Sequence, residues 1–201
     1  MHRRVLSQTG TDTVKLRARP RLSYWAVERL RDRIVVQPVS GEVPSNVPPA
    51  AFGRFRVLHQ IGVGSLGPVF RGAGRETREA VAIKQLRLNL SPEQADQVIH
   101  ALRALIDRLP DHPGLLRLID AGLHQGDPYI VTALATGESL DVALREYGPA
   151  AISDALPRLQ RLADALDRAA AKSVWHGALQ PSDILVSGQQ TQIAGIGIVP
   201  A

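Results

Sequence analysis

Between Ile61 and Lys84 the chain reads IGVGSLGPVFRGAGRETREAVAIK, and the residue types there suit phosphate chemistry. Gly62, Gly64 and Gly67 form a Gly-x-Gly-x-x-Gly triplet followed by Val69, and Lys84 closes Val81-Ala82-Ile83-Lys84. Glycines let backbone come close over phosphates, and a lysine contacts them as a point charge. The triplet alone is a weak signal, because a chain with 17 glycines produces such spacings easily. Lys84 strengthens it. With three lysines (Lys15, Lys84 and Lys172) among 24 lysines and arginines together, an ordinary surface cation would be written as arginine here. Other chemistries lack their residues. There are no cysteines, which excludes disulfides and thiolate metal sites. The six histidines show no metal-ligand spacing, and no nucleophile elbow supports a Ser-His-Asp arrangement.

The elements that must hold these residues are strands. A dinucleotide-binding fold needs the glycine triplet to open a helix directly. Instead Gly67 is followed by Pro-Val-Phe-Arg and then by Gly72-Ala-Gly74-Arg-Glu, a strand and a turn that glycine would not allow as helix. Phe55-Arg-Val-Leu-His-Gln-Ile leads into the glycines, and Glu79-Ala-Val-Ala-Ile-Lys follows the turn as a second short apolar strand. Downstream, Ser91 is the expected cap of a helix, with Pro92 as its first residue and Glu93 at the positive end of its dipole. Val98, Leu102, Leu105 and Leu109 recur along it at helical spacing, with Ile99 and Ile106 beside them. Residues 115–120 and 129–135 read as two more strands, completing a five-stranded antiparallel sheet. A short helix opens at Glu138-Ser139-Leu140. A longer one, capped by Ser153, carries Leu156, Leu159, Leu162, Leu166 and residues 169–171, with Pro157 near its first turn.

Strand, glycine loop, strand, turn, and strand with a terminal lysine resembles the nucleotide-binding lobe of the protein kinases. A second stretch, Val174-Trp-His-Gly-Ala-Leu-Gln-Pro-Ser-Asp-Ile-Leu-Val, resembles their catalytic loop, H-R-D-L-K-P-x-N-I-L-V. His176, Leu179, Pro181, Ile184, Leu185 and Val186 fall in step with it. Gly177 stands in the place of the arginine, Ala178 in that of the carboxylate base, Gln180 in that of the lysine and Asp183 in that of the metal-binding asparagine. Further on, Gln192-Ile-Ala-Gly195-Ile-Gly197 resembles the strand leading into D-F-G, with Gly195 in the aspartate's place.

The resemblance covers residues 53–199 and implies an α+β, protein-kinase-like fold of the bacterial Ser/Thr type. It assigns 1–52 to a basic, partly disordered extension and linker, and 53–135 to an N-lobe of five antiparallel strands with one main helix. Residues 136–201 become a partial, mainly helical C-lobe. It places the hinge at 133–137, with Thr132 guarding the back of an adenine pocket. Ile61, Gly62, Gly64, Gly67, Val69, Ala82, Lys84, Thr132 and Ala135 become the residues for a weak ATP contact. In the family a helix glutamate pairs with the strand lysine. That position falls near Leu102 or Arg103, neither acidic, so a shifted helix would have to bring Asp96 or Glu93 to Lys84. His176 is expected to be structural, and Trp175 packed or partner-facing.

What the resemblance implies about activity is mostly loss. No catalytic residue is expected, since Ala178, Gln180, Asp183 and Gly195 are degenerate positions. A positioned base alone is worth ~10²–10⁴ in rate. Asp183 is the one candidate Mg²⁺ ligand and is insufficient by itself, so Mg²⁺ is not expected. The reading is therefore a catalytically inactive pseudokinase with residual or lost ATP binding, acting as a regulatory or scaffold module. Two alternatives stay open: a phosphotransferase of altered geometry using Lys84 and Asp183, and a truncated kinase remnant.

Bulk composition bounds the setting. Of a net charge of +5, residues 1–50 hold nine basic and four acidic side chains, while 51–201 hold 15 of each. A solubilising tail is favoured for that arm over a nucleic-acid or anionic-lipid contact, because it has neither a stacking pattern nor a basic amphipathic helix. Within 21–40, Leu22-Ser-Tyr-Trp-Ala-Val and Arg33-Ile-Val-Val-Gln-Pro-Val have strand character, as a hairpin or a loosely packed extension, before a Pro- and Gly-rich linker. No run reaches the ~20 apolar residues of a membrane span, the N-terminus lacks a signal-peptide core, and a cytoplasmic location is expected. The chain stops four residues after Gly197. Apolar residues of the 153–171 helix and of the strands at 184–194 should then lack their usual cover, which implies a protein partner or self-association.

Overall fold

Burial alternates along residues 67–74 and 80–85, two central strands of the larger sheet. The computed structural model describes residues 49–64 and 66–198; the basic arm, the two strand-like runs within 21–40 and most of the linker lie outside the described residues. Strands β1 (Ala51–Phe52), β2 (Phe55–Gly64), β3 (Gly67–Gly74), β4 (Ala80–Gln85), β5 (Leu118–His124) and β6 (Asp127–Ala133) form an antiparallel sheet in the order β1-β2-β3-β4-β6-β5. The five strands read from sequence are present, with one more. The extra strand is the two-residue β1, and its Phe52 is fully buried against the rings of Phe70, Tyr129 and His124. The strand expected from Leu115 starts at Leu118, because Leu115 is occupied in a parallel bridge to Ile193.

The two faces of the sheet differ. Val81, Ile83, Val131, Phe70 and Tyr129 join Phe52 and Phe55 in one cluster. Leu118, Ala121 and Ile130, on the opposite face, pack with Ile99, Leu102 and Leu105 of helix α1 (Pro92–Arg108). α1 begins where the sequence predicts. Ser91 Oγ accepts from the Gln94 amide at 3.3 Å while Ser91 N–H donates to Gln94 Oε1 at 2.8 Å, a reciprocal cap. Glu93 instead accepts from the Ser91 hydroxyl at 2.8 Å.

Beyond the hinge come β7 (Glu138–Ser139), α2 (Leu140–Tyr147), α3 (Ile152–Ala171), a 3₁₀ turn (Pro181–Asp183), β8 (Ile184–Ser187) and β9 (Gln190–Ile193). The strands pair in the order β7-β8-β9. α3 starts with Ala151 at its cap rather than Ser153, so Pro157 is its sixth residue and falls in the second turn, not the first. The missing N–H there deprives the Ser153 carbonyl of its intrahelical partner. α3 buries Leu162, Ala165 and Ala169, and Arg158 and Arg161 hold the β8–β9 turn through Gly188 O (2.7 Å) and Gln189 O (3.0 Å). One continuous core runs from α1 to α3, Val174, Ile193 and Ile196, so the larger sheet's helix and the C-terminal elements share it. Ile193 and Thr191 are buried. The strands at 184–194 are therefore better covered than expected, while Ile152, Leu156 and Leu159 of α3 are 83%, 53% and 58% exposed.

Candidate nucleotide site

Strand register collects the predicted cradle. Gly62 lies opposite Val69 and Gly64 opposite Gly67, so the glycines form the closed end of the β2–β3 hairpin. Val69 lies opposite Lys84, and Ala82 opposite Thr132. Because Ala82 and Lys84 are two residues apart, Val69, Ala82, Lys84 and Thr132 share one face of the sheet. Thr132 Oγ1 donates to Ala133 O at 3.0 Å. Ile61 sits at an interruption of the register between Gln60 and Gly62 and is 47% exposed.

The hairpin tip is drawn down. Gly67 has φ +140°, and a Cβ there would collide with the Gln85 carbonyl, so both backbone angle and space require glycine. The Arg87 amide donates to Leu66 O at 2.8 Å, and the Leu66 side chain packs against the shared core. A Cβ on Gly64 would lie 3.3 Å from Lys84 Cε and 3.4 Å from Nζ. In this conformation the glycine loop covers Lys84. Nothing in the sequence pattern signalled the Leu66 anchor.

Burial lowers the Lys84 pKa from the ordinary lysine value, and the negative charge of Asp183 offsets part of that. Among the described residues no carboxylate comes within 4 Å of the Lys84 ammonium. The shifted-helix alternative therefore fails. α1 begins at Pro92, Glu93 is engaged by Ser91, Asp96 is exposed, Leu102 is buried, and Arg103 donates to Ala121 O at 3.2 Å.

Asp183 belongs to a tight cluster with His176 and Gly195. Its Oδ2 accepts from the Gln180 amide at 2.9 Å, and its carbonyl accepts from Ala194 N–H at 2.8 Å. His176 is buried, with Nε2 3.0 Å from Ala194 O and 3.7 Å from Asp183 Oδ2. The carbonyl makes Nε2 the protonated nitrogen, the backbone-bonded role expected of this residue, and leaves buried Nδ1 without a partner among the described residues. Gly195 has φ +74°, and the nearest atom to a Cβ there would be His176 Nε2, at 3.8 Å. Ala178 offers a half-buried methyl group and Gln180 an exposed amide.

The donor set does not fit Mg²⁺. No group of three His, Asp or Glu side chains able to hold a metal occurs among the described residues, and Asp183 is the single carboxylate whose charge bears on Lys84. A divalent ion of octahedral preference needs oxygen from more than one side. Leu134 N–H is taken by Ala80 O at 3.3 Å, whereas the amide and carbonyl of Ala135 have no backbone partner among the described residues. A cavity of ≈ 60 Å³ lies there, lined in part by Ala135, Leu185 and Gln192. It is well below the roughly 300–1,000 Å³ of ligand pockets, and no residue of the glycine loop lines it.

Comparison with known proteins matches this architecture. The sequence profile of the protein tyrosine and serine/threonine kinase family matches residues 55–201, and the chain belongs to that family. Among its curated relatives, the serine/threonine-protein kinase pkn2 of Myxococcus xanthus is 32% identical over 150 residues, 73% of this chain and 18% of its own length. Serine/threonine-protein kinase PknD of Mycobacterium tuberculosis is 29% identical over 142 residues, 68% of this chain and 20% of its own. The chain thus spans about a fifth of each of these relatives. The crystal structure of the M. tuberculosis PknI kinase domain superposes with a TM-score of 0.64 at 21% identity, covering 77% of this chain and 64% of that one. At that identity the likeness concerns the fold.

Proposed function

We propose that this kinase-family chain is a pseudokinase: a regulatory or scaffold module that binds ATP weakly and without Mg²⁺, and does not transfer its phosphate. The contrast between the two sides of its cleft carries the reading. Gly62, Gly64, Gly67, Val69, Ala82 and Lys84 stand together in register. Across from them, alanine and glycine occupy positions 178 and 195, where the family pattern has its two working carboxylates. When bound, ATP would supply a purine for Ala135 and the Val69/Ala82 face, and phosphates for the glycine loop and Lys84. Ile61 and Thr132 would border the base. The chain's own part is to bind and to change shape at the loop, since no residue at 178 can accept a hydroxyl proton.

A protein partner or second copy belongs to this reading, supported by the exposed Ile152, Leu156 and Leu159 on α3. No described helix is long and apolar enough to cross a membrane, and the reading places the module in the cytoplasm. The second reading, a phosphotransferase of altered geometry, draws on the Asp183 charge acting on Lys84. Radiolabel transfer from γ-labelled ATP separates them. The pseudokinase account expects none above background in wild type; transfer that disappears in both Lys84→Ala and Asp183→Ala would establish the enzyme instead.

A further inference from the structure

For most of its length β2 is the outer edge of the larger sheet. β1 covers only Phe55 and Arg56, and Ala50 O accepts one further bond from the Val57 amide at 3.1 Å. Past Val57 the outer side of β2 has no strand partner among the described residues. Pro68 stands opposite Val63 and has no N–H, so this pair cannot exchange two ladder bonds with β3, and the Val63 amide is left to the open side. Leu58 and Val63 are 46% and 76% exposed, and neither is used by the nucleotide reading. An open row of backbone groups beside apolar side chains is a template for an added strand.

The chain itself supplies a candidate close by. β1 runs antiparallel to β2, which directs its N-terminal continuation along this edge. Pro48 and Pro49 cannot donate to a ladder, so β1 cannot simply extend. Upstream of them lies Arg33-Ile-Val-Val-Gln37, a β-branched run of the kind that fits a pleated surface. The edge between residues 57 and 63 is about 20 Å long at roughly 3.3 Å per residue. The stretch 38–50 reaches about 40 Å when extended, enough to seat the run in either direction.

We propose that residues 33–37 pair in cis with the free edge of β2 between Leu58 and Val63, as a seventh strand of this sheet. The added strand covers Leu58 and Val63 and ties the N-terminal arm to the hairpin that carries the glycines. The two interruptions of the β2–β3 register limit the pairing to a short strand.

Amide hydrogen exchange on the full chain tests it. In wild type the Val63 amide exchanges slowly at every protein concentration, and Val35→Pro, which removes a ladder donor outside the core, speeds it at least tenfold. Equal rates in the two proteins overturn the proposal. So does wild-type protection that vanishes on dilution, which assigns the edge to a second copy. Cross-linking is a second readout, unambiguous because the chain has no cysteine of its own. Val63→Cys is combined in turn with Arg33→Cys, Ile34→Cys, Val35→Cys, Val36→Cys and Gln37→Cys. Monomeric disulfides at alternating positions are expected, and no cross-link, or equal cross-linking at all five, overturns the proposal.

Discussion

The glycine hairpin and the 174–197 segment border the same cleft, yet the constraints on them differ. On the hairpin side the residues themselves are required. Gly67 admits no Cβ, and burial opposes the charge of Lys84 while Asp183 offsets part of that. On the other side the backbone frame stands with alanine at 178 and glycine at 195. His176 still bonds Ala194 O, Asp183 still caps its turn through Gln180, and Val174, Ile193 and Ile196 remain in the core. Frame and chemistry are separable because packing and backbone hydrogen bonds hold the one, while single side chains carry the other. A loop with alanine at 178 and glycine at 195 can keep its shape.

Four variants break or sharpen that contrast. The largest effect is expected of Lys84→Ala, which removes a charge-assisted contact worth ~1.5–3 kcal/mol; ATP affinity by calorimetry should fall about 10- to 100-fold. Next is Gly195→Asp. Space for the side chain exists beside His176, and Asp tolerates a positive φ better than most residues. Here Mg²⁺ should tighten ATP binding about tenfold, against less than twofold in wild type; equal Mg²⁺ response in both would show that position 195 does not face the phosphates. A smaller gain, about threefold in ATP affinity, is expected of Leu66→Ala, which loosens the anchor holding the loop over Lys84.

The smallest effect is on stability. Burial depresses the Lys84 pKa, so the unfolded chain holds this proton more tightly than the folded one. Its contribution to stability therefore rises with pH, from the depressed folded value up to the ordinary lysine value. Lys84→Met should raise Tm at neutral pH by about 2–4 °C for each kcal/mol of charge burial relieved, and the gain should shrink as pH approaches that of free lysine. A melt showing Lys84→Met less stable than wild type would mean that the ammonium has a partner that stabilises it.

Much of this was legible in the sequence because it depends on local chemistry. Ser91-Pro92 marked the start of α1 to the residue, and the glycines after Gly67 excluded a helix and gave a hairpin. Elements whose position is decided by distant packing were less legible. Phe52 looked like the end of a linker until its ring met Phe70 and Tyr129, and Leu115 was drawn out of its strand by Ile193. Ser153 resembled a cap by type, but the helix begins one residue before it, at Ile152. At the site, the resemblance grouped Val69, Ala82, Lys84 and Thr132, and the strand register sets them on one face. The descent of Leu66 over Lys84 could not be read in advance, since it depends on a bond between its carbonyl and Arg87, beyond the next strand.

The most direct test is calorimetric titration of the full chain with ATP, once with Mg²⁺ and once with a chelator. A kept cradle facing lost carboxylates predicts one weak, saturable site with the same affinity in both, within twofold. No saturable heat at millimolar ATP, or binding that strengthens tenfold or more with Mg²⁺, would contradict it.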